Sequence, residues 1–432
     1  MNLGPPSHLV VAASGWVGRA VGALAQIIMI NLVITHIGTV DYAIFAILYG
    51  LVGWFQVADF GLGVSLQNFI SEYRAKGLPH AQAVHAISTL TLMLFFVQAL
   101  LLALSAGWIG PWLLRQFAIP EVSKSHLFLI CSVLLLTFSL GQVATRIYYA
   151  EKRGYVTNLI FAGAQILGCL LAWGSMRLGQ TPPLPWALGA FLLPSALVMT
   201  GLFISILSRK APGPALNPEQ LRFILRRAVG FAGFSLSAAF VLQIDVVIIS
   251  QFLGPQEIAS YTLLSKILAF VFAMYSEALL ALWPMVTERL AVRDALGIRK
   301  WIYLYLASGA SLMIAACLAL LWRGNWFLEV LAPRSGIHAT FPLLGLFGVY
   351  YLVRIWCDTF AMLLQSISKL VHLWVAVPIQ GALSLGLQWT LAPKFGIAGV
   401  LIALTLSFLL TVAWVLPFAL NREMSRMALR PS

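Results

Sequence analysis

Charge is what this 432-residue chain has least of: only 9% of its residues are Asp, Glu, Lys or Arg, where a soluble domain carries about a quarter. Cysteine is nearly as scarce, and Cys131, Cys169, Cys317 and Cys357 all fall within apolar stretches. That excludes a disulfide framework and a cysteine-based metal cluster. The seven histidines show no HExxH or paired-ligand spacing, so zinc chemistry is not expected. No Walker A loop is present, which excludes a built-in ATPase. The longest polar connection runs about twenty residues, too short to house a catalytic domain, and neither an enzyme nor a cofactor is expected. Asp59-Phe60-Gly61 echoes a kinase tripeptide. It lies in an apolar stretch without a glycine-rich loop, and it reads as coincidence.

What the chain has in abundance is hydrocarbon. Hydrophobic residues make up 61% of it, and the mean hydropathy is +0.92. Twelve apolar stretches lie at roughly 9–35, 42–70, 82–106, 124–148, 156–178, 184–207, 229–253, 258–286, 301–322, 340–364, 370–391 and 396–420. Each is long enough to cross a bilayer as a tilted helix. The expected fold class is therefore an all-α polytopic membrane protein with about 12 transmembrane helices. The leader Met1 to His8 has no Lys or Arg, so the first stretch reads as a retained span rather than a signal peptide.

With the N-terminus inside, the inward loops hold 17 of the 27 basic residues and the outward loops hold six. The positive-inside rule then places both termini in the cytoplasm. The formal charge of +13 needs no nucleic-acid partner, because anionic membrane lipids at the inner surface account for it. Tryptophans such as Trp108, Trp173, Trp322 and Trp389 cluster at the outer span ends, as an interfacial belt would.

The chain divides into a six-helix lobe at 1–207, a cytoplasmic linker at 208–228, a second six-helix lobe at 229–420 and a cytoplasmic tail at 421–432. In the linker, Asn217-Pro218-Glu219-Gln220 offers an N-cap, a first-turn proline and an acidic first turn. It opens a basic amphipathic helix expected along the membrane surface. The two lobes read as a repeat offset by 216 residues: Gly38 aligns with Gly254, Asp41 with Glu257, Glu72 with Glu288, Arg153 with Lys369 and Trp173 with Trp389. An even number of spans per copy gives both copies one orientation, a parallel pseudo-repeat of the kind found in alternating-access carriers.

Eight ionisable residues lie inside the apolar stretches: Arg19, Asp59, Arg146, Asp245, Lys266, Glu277, Arg354 and Asp358. Each costs at least a few kcal/mol in hydrocarbon, so such residues face a bundle interior or a watery cavity. Depth pairs Arg19 with Asp59 and Asp245 with Lys266, while Arg354 and Asp358 share one helix face. Glu277 has no partner at its depth and is the candidate protonation-switching carboxylate. Arg146, near the inner face, is expected to snorkel to headgroups. Structural ion pairs between helices remain the competing account of the three pairs.

The run Leu32 to Gly38, then Asp41-Tyr42-Ala43-Ile44-Phe45, Ala58-Asp59-Phe60-Gly61-Leu62-Gly63 and Ser65-Leu66-Gln67-Asn68-Phe69-Ile70-Ser71, resembles the N-terminal part of Wzx-type O-antigen and exopolysaccharide flippases. Beyond about residue 80 the likeness rests on span count, two lobes and basic inner loops. The resemblance implies translocation of an undecaprenyl-diphosphate-linked oligosaccharide across a bacterial inner membrane. It also implies a cationic cavity in which Arg19, Lys266 and Arg354 contact diphosphate or acidic sugar. Trp54 and Tyr275 would stack on sugars, with core packing as the alternative. Asp59 and Glu277 would serve any ion coupling, and Asp245 and Asp358 charge pairing. A polysaccharide polymerase and a chain-length regulator are the implied partners. The alternatives are a small-molecule or drug antiporter of the same superfamily and a non-transporting component of a polysaccharide synthesis complex. The first span lacks the acidic residue usual in the drug and cation exporters, and the two extra spans of lipid II flippases are absent.

Overall fold

The computed structural model describes residues 7–179, 183–209, 217–291, 295–333, 335–366 and 371–429. Every regular element among them is helical. Ten helical stretches are apolar and long enough to cross a bilayer, and Thr39–Phe55 is a shorter apolar helix. One of the ten, Val371–Ser425, is long enough for two crossings and bends at Gly396. Counting it twice, and counting the broken stretch from Thr39 to Ala75 once, gives the twelve crossings expected from composition.

The chain forms two compact units, residues 1–239 and 240–432. In the first, α1 (Ser7–His36) packs on α7 (Gly154–Arg177), while α8 (Pro183–Leu207) packs on both α7 and α6 (Glu121–Ala150). The second expected span is three pieces, α2 (Thr39–Gly50), α3 (Val52–Phe55) and α4 (Leu62–Ala75). Phe60 has φ 49° and Gly61 φ 74°, so the chain turns through two left-handed residues there. Gly61 has a second reason to be glycine: an added Cβ would lie 2.6 Å from the Ala228 carbonyl oxygen. Phe60 has neither excuse, and a bulky residue at positive φ marks strain that the surroundings must hold in place. The tripeptide is thus a helix break between α3 and α4. The opened backbone is satisfied locally, because Gln98 on α5 (Ala81–Leu113) donates to the Ala58 carbonyl at 2.9 Å. Membrane helices tolerate breaks only on such terms.

The expected surface helix after Asn217 is not separate. Helix α9 runs unbroken from Pro218 to Phe252, and no proline interrupts it beyond its first residue. Asn217 does cap it, accepting the Glu219 N–H at 3.0 Å. Its first turns lie on α4 through Ser65 Oγ donating to the Ile224 carbonyl at 2.7 Å and an Arg227–Glu72 ion pair at 2.9 Å.

In the second unit, α12 (Phe341–Ser366) contacts α10 (Pro255–Ala291), α11 (Ala295–Leu331), α13 (Val371–Leu410) and α14 (Val412–Leu429). It is the hub of that unit. The repeat is visible in the helix ends. The last residues of α1 and α9, and the first of α2 and α10, are each 216 apart. The second copy of the broken span, α10, is continuous over 37 residues. Glu288 and Lys369, two of the aligned positions, fall among residues whose side chains lie outside the description.

Candidate charge site in the C-terminal unit

Helix α12 builds the site by spacing alone. Tyr350, Arg354 and Asp358 recur every four residues, so they lie on one face. The Arg354 Nε sits 3.5 Å from an Asp358 carboxylate oxygen. This is close enough for mutual neutralisation, yet not aligned as a hydrogen bond, and the buried Nε donates to nothing. Nη1 donates to the Tyr350 hydroxyl at a long 3.4 Å. From α10, the Phe272 ring covers the guanidinium, 4.4 Å from its central carbon, a cation–π contact worth about 0.5–2 kcal/mol depending on desolvation. Tyr351 packs beside Phe272 with ring centroids 5.7 Å apart, and its hydroxyl donates to the Ser265 carbonyl at 3.2 Å.

A second carboxylate lies in the same unit. Asp245 on α9 accepts from the Tyr261 hydroxyl at 2.5 Å and from the Val246 N–H at 3.0 Å. The Arg354–Asp358 pair itself sits inside an aromatic collar of Phe272, Tyr350 and Tyr351. Such a cation is held by weak, long or misaligned contacts. An anion offering two oxygens in the plane of the guanidinium would bind it better than its present partners do.

The expected site residues divide between the units. Asp245, Arg354 and Asp358 come together as described. The depth argument paired Asp245 with Lys266; Asp245 accepts from the Tyr261 hydroxyl, and Lys266 is half-buried on α10. Tyr275 is 3% exposed and its hydroxyl is 2.5 Å from Thr359 Oγ1, a packed core position. The Glu277 side chain lies outside the described residues.

In the first unit, Arg19 is exposed on α1 and Trp54 is half-buried on α3. Both oxygens of Asp59 accept backbone N–H groups, from Gly61 at 3.0 Å and Gly63 at 2.9 Å, so this carboxylate caps the start of α4. Among the described residues no group of His, Cys, Asp and Glu side chains suits a metal ion. The aromatic collar was missed from sequence. Tyr350, four residues before Arg354, carried a usable signal, whereas Phe272 reaches Arg354 only through packing of α10 on α12.

The profile of a family described as "Polysaccharide biosynthesis protein" matches residues 13–290. A putative O-antigen export protein of Yersinia pseudotuberculosis is 33% identical over 98% of this chain and 97% of its own length. A putative O-antigen transporter of Salmonella typhi is 32% identical over 98% of each chain. Among solved structures, an inward-facing multidrug resistance MATE family transporter superposes with a TM-score of 0.73 at 13% identity, covering 98% of this chain and 99% of its own. The lipid II flippase MurJ superposes with a TM-score of 0.71 at 12% identity, covering 98% and 90%. At such identities these structures are alike in fold.

Proposed function

This chain belongs to the polysaccharide biosynthesis protein family, and from that premise we propose that it is a flippase for an undecaprenyl-diphosphate-linked oligosaccharide in a bacterial inner membrane, with both termini cytoplasmic. It serves O-antigen, capsule or exopolysaccharide assembly as a carrier, and a polymerase and chain-length regulator take its product. The observation that carries this reading is the relationship to the two O-antigen proteins, 33% and 32% identical over 98% of this chain.

The charge site supplies the chemistry such a carrier needs. A lipid-linked diphosphate must leave water while its negative charge crosses a low-dielectric layer, and a fixed cation lowers that cost. Arg354 is matched to that work because its charge persists at any physiological pH and its fork fits two phosphate oxygens. Asp358 holds the cation while the site is empty and yields it when the diphosphate arrives. Phe272 covers the guanidinium face without taking a donor, and the Tyr350 hydroxyl takes one only through a long 3.4 Å bond.

The test is complementation. A flippase-null strain that carries this protein's own glycan pathway should regain surface polysaccharide with the wild-type chain. It should regain none with Arg354→Ala at equal membrane abundance. Export restored equally by both would remove Arg354 from the mechanism, and no restoration by the wild-type chain would sink the flippase reading in favour of a small-molecule antiporter.

A further inference from the structure

A cavity of about 470 Å³ opens in the first unit where α2, α6 and α8 begin. Its polar lining comes from Asp41 in the first turn of α2 and from Ser123 and His126 in the first two turns of α6. Its apolar lining on the same two helices lies further along them, at Ile44, Leu127 and Ile130. Ile119 and Pro120 ahead of α6, and Leu184 and Pro185 at the start of α8, add further apolar lining, so the few polar groups are set in a mostly hydrocarbon wall.

The repeat shows what Asp41 would do if it were only a helix-start acid. Its counterpart Glu257 reaches back and accepts the Gly254 N–H at 3.2 Å, closing its own turn as in a capping box. In the first unit the equivalent N–H, on Gly38, is already taken by the Val33 carbonyl at 3.0 Å. The Asp41 side chain is one methylene shorter and has no such bond to make. A half-buried carboxylate is thus left facing a cavity that is otherwise mostly apolar.

We propose that this cavity binds a membrane phospholipid with a primary-ammonium headgroup, its ammonium on Asp41, its phosphate toward Ser123 and His126, and an acyl chain along Ile44, Leu127 and Ile130. The charge selects an ammonium, and the hydrocarbon wall along spanning helices selects a lipid over a soluble amine. Three N–H donors on a primary ammonium satisfy a carboxylate in a way that a trimethylated nitrogen cannot.

Native mass spectrometry of the full-length protein tests this with an N-methylation series. Phosphatidylethanolamine, its mono- and dimethyl forms, phosphatidylcholine and phosphatidylglycerol are compared with identical chains. The wild-type protein should retain phosphatidylethanolamine at least about threefold over phosphatidylcholine, with the methylated forms graded between, since one charge-assisted hydrogen bond is worth that much or more. Phosphatidylglycerol should bind weakest, and Asp41→Asn should level the series. Equal retention of ethanolamine and choline lipids by the wild type overturns the proposal, as does a preference that survives in Asp41→Asn. Soluble phosphoethanolamine at millimolar concentration should not displace the lipid; if it does, the site takes a free amine and the lipid assignment fails. The series on the unmodified protein stands even if the variant does not fold.

Discussion

Met29, Phe45, Phe138 and Gln142 occupy, in the first half, the places that Asp245, Tyr261, Arg354 and Asp358 hold in the second at the 216-residue offset. The contrast recurs on the seventh helix of the first half and its copy. Ala164, Gly168 and Ala172 form a buried small-residue stripe on α7, and Gly168 lies so close to the Phe191 carbonyl that a Cβ would not fit. Their counterparts on α13 are Gln380, Ser384 and Gln388, all at most 2% exposed. The Gln380 Nε2 and Gln388 Oε1 atoms are buried without a hydrogen bond. One helix plan thus folds with apolar and small residues and a single amide, Gln142, in one half and with charges and amides in the other. The polar set is not what the fold requires. It is an addition to the second half, and its cost in stability is the argument that it does something else.

The largest effect should come from giving the second half the residues of the first. Arg354→Phe with Asp358→Gln should reduce polysaccharide export by at least about a hundredfold, the scale of losing a charge-paired phosphate contact. Thermal unfolding in nanodiscs should remain unchanged or rise, because replacing a buried ion pair with neutral groups is neutral to stabilising by about 1–4 kcal/mol. A large fall in Tm with export retained would reverse the comparison and make the pair structural.

Next in size is the helix break. Gly61→Ala places a Cβ at φ 74° and 2.6 Å from the Ala228 carbonyl. Strain and clash together should destabilise the first half by about 2–4 kcal/mol. The continuous α10 needs no such glycine, so a harmless Gly61→Ala would show that the break is not held by α9.

A smaller change should follow from transplanting the stripe. Gln380→Ala, Ser384→Gly and Gln388→Ala relieve buried amides at about 1–3 kcal/mol each, and lose packing and helix propensity of similar size. Tm should stay within about 5 °C of the wild type, roughly 1–2 kcal/mol for a unit of this size. A steeper fall would mean that the amides are part of the core of the second half.

Much of this was written in the sequence. Long apolar stretches reported the spans, because backbone groups in lipid leave little but helix available. The offset of 216 reported the repeat, and the spacing of Arg354 and Asp358 reported their shared face. What could not be read was partner choice. Depth along a helix says which residues share a level and not which way they turn, so the Tyr261 hydroxyl that Asp245 accepts could not be foreseen. The break at Asp59-Phe60-Gly61 was hidden for a related reason. Its hydropathy is that of a continuous span, and only the two glycines, Gly61 and Gly63, hinted at a turn.

Asp59 offers the finest division between the halves, because its sequence reading and its structural role predict different variants. As a charge partner or coupling carboxylate, Asp59 would need its ionised form, and both Asp59→Asn and Asp59→Ala would abolish export. As a cap, it needs oxygens near the Gly61 and Gly63 N–H groups, and the amide of Asn retains one of them. Asp59→Asn should then cost only a few tenths of a kcal/mol, and Asp59→Ala about 1 kcal/mol. Export in both should fall no further than the loss of folded protein accounts for. The second half carries Tyr275 at this position in an unbroken helix that has no start to cap. If Asp59→Asn silences export in a protein that unfolds at the wild-type temperature, the first half shares the ionic chemistry of the second, and the contrast between them narrows to the Arg354–Asp358 pair.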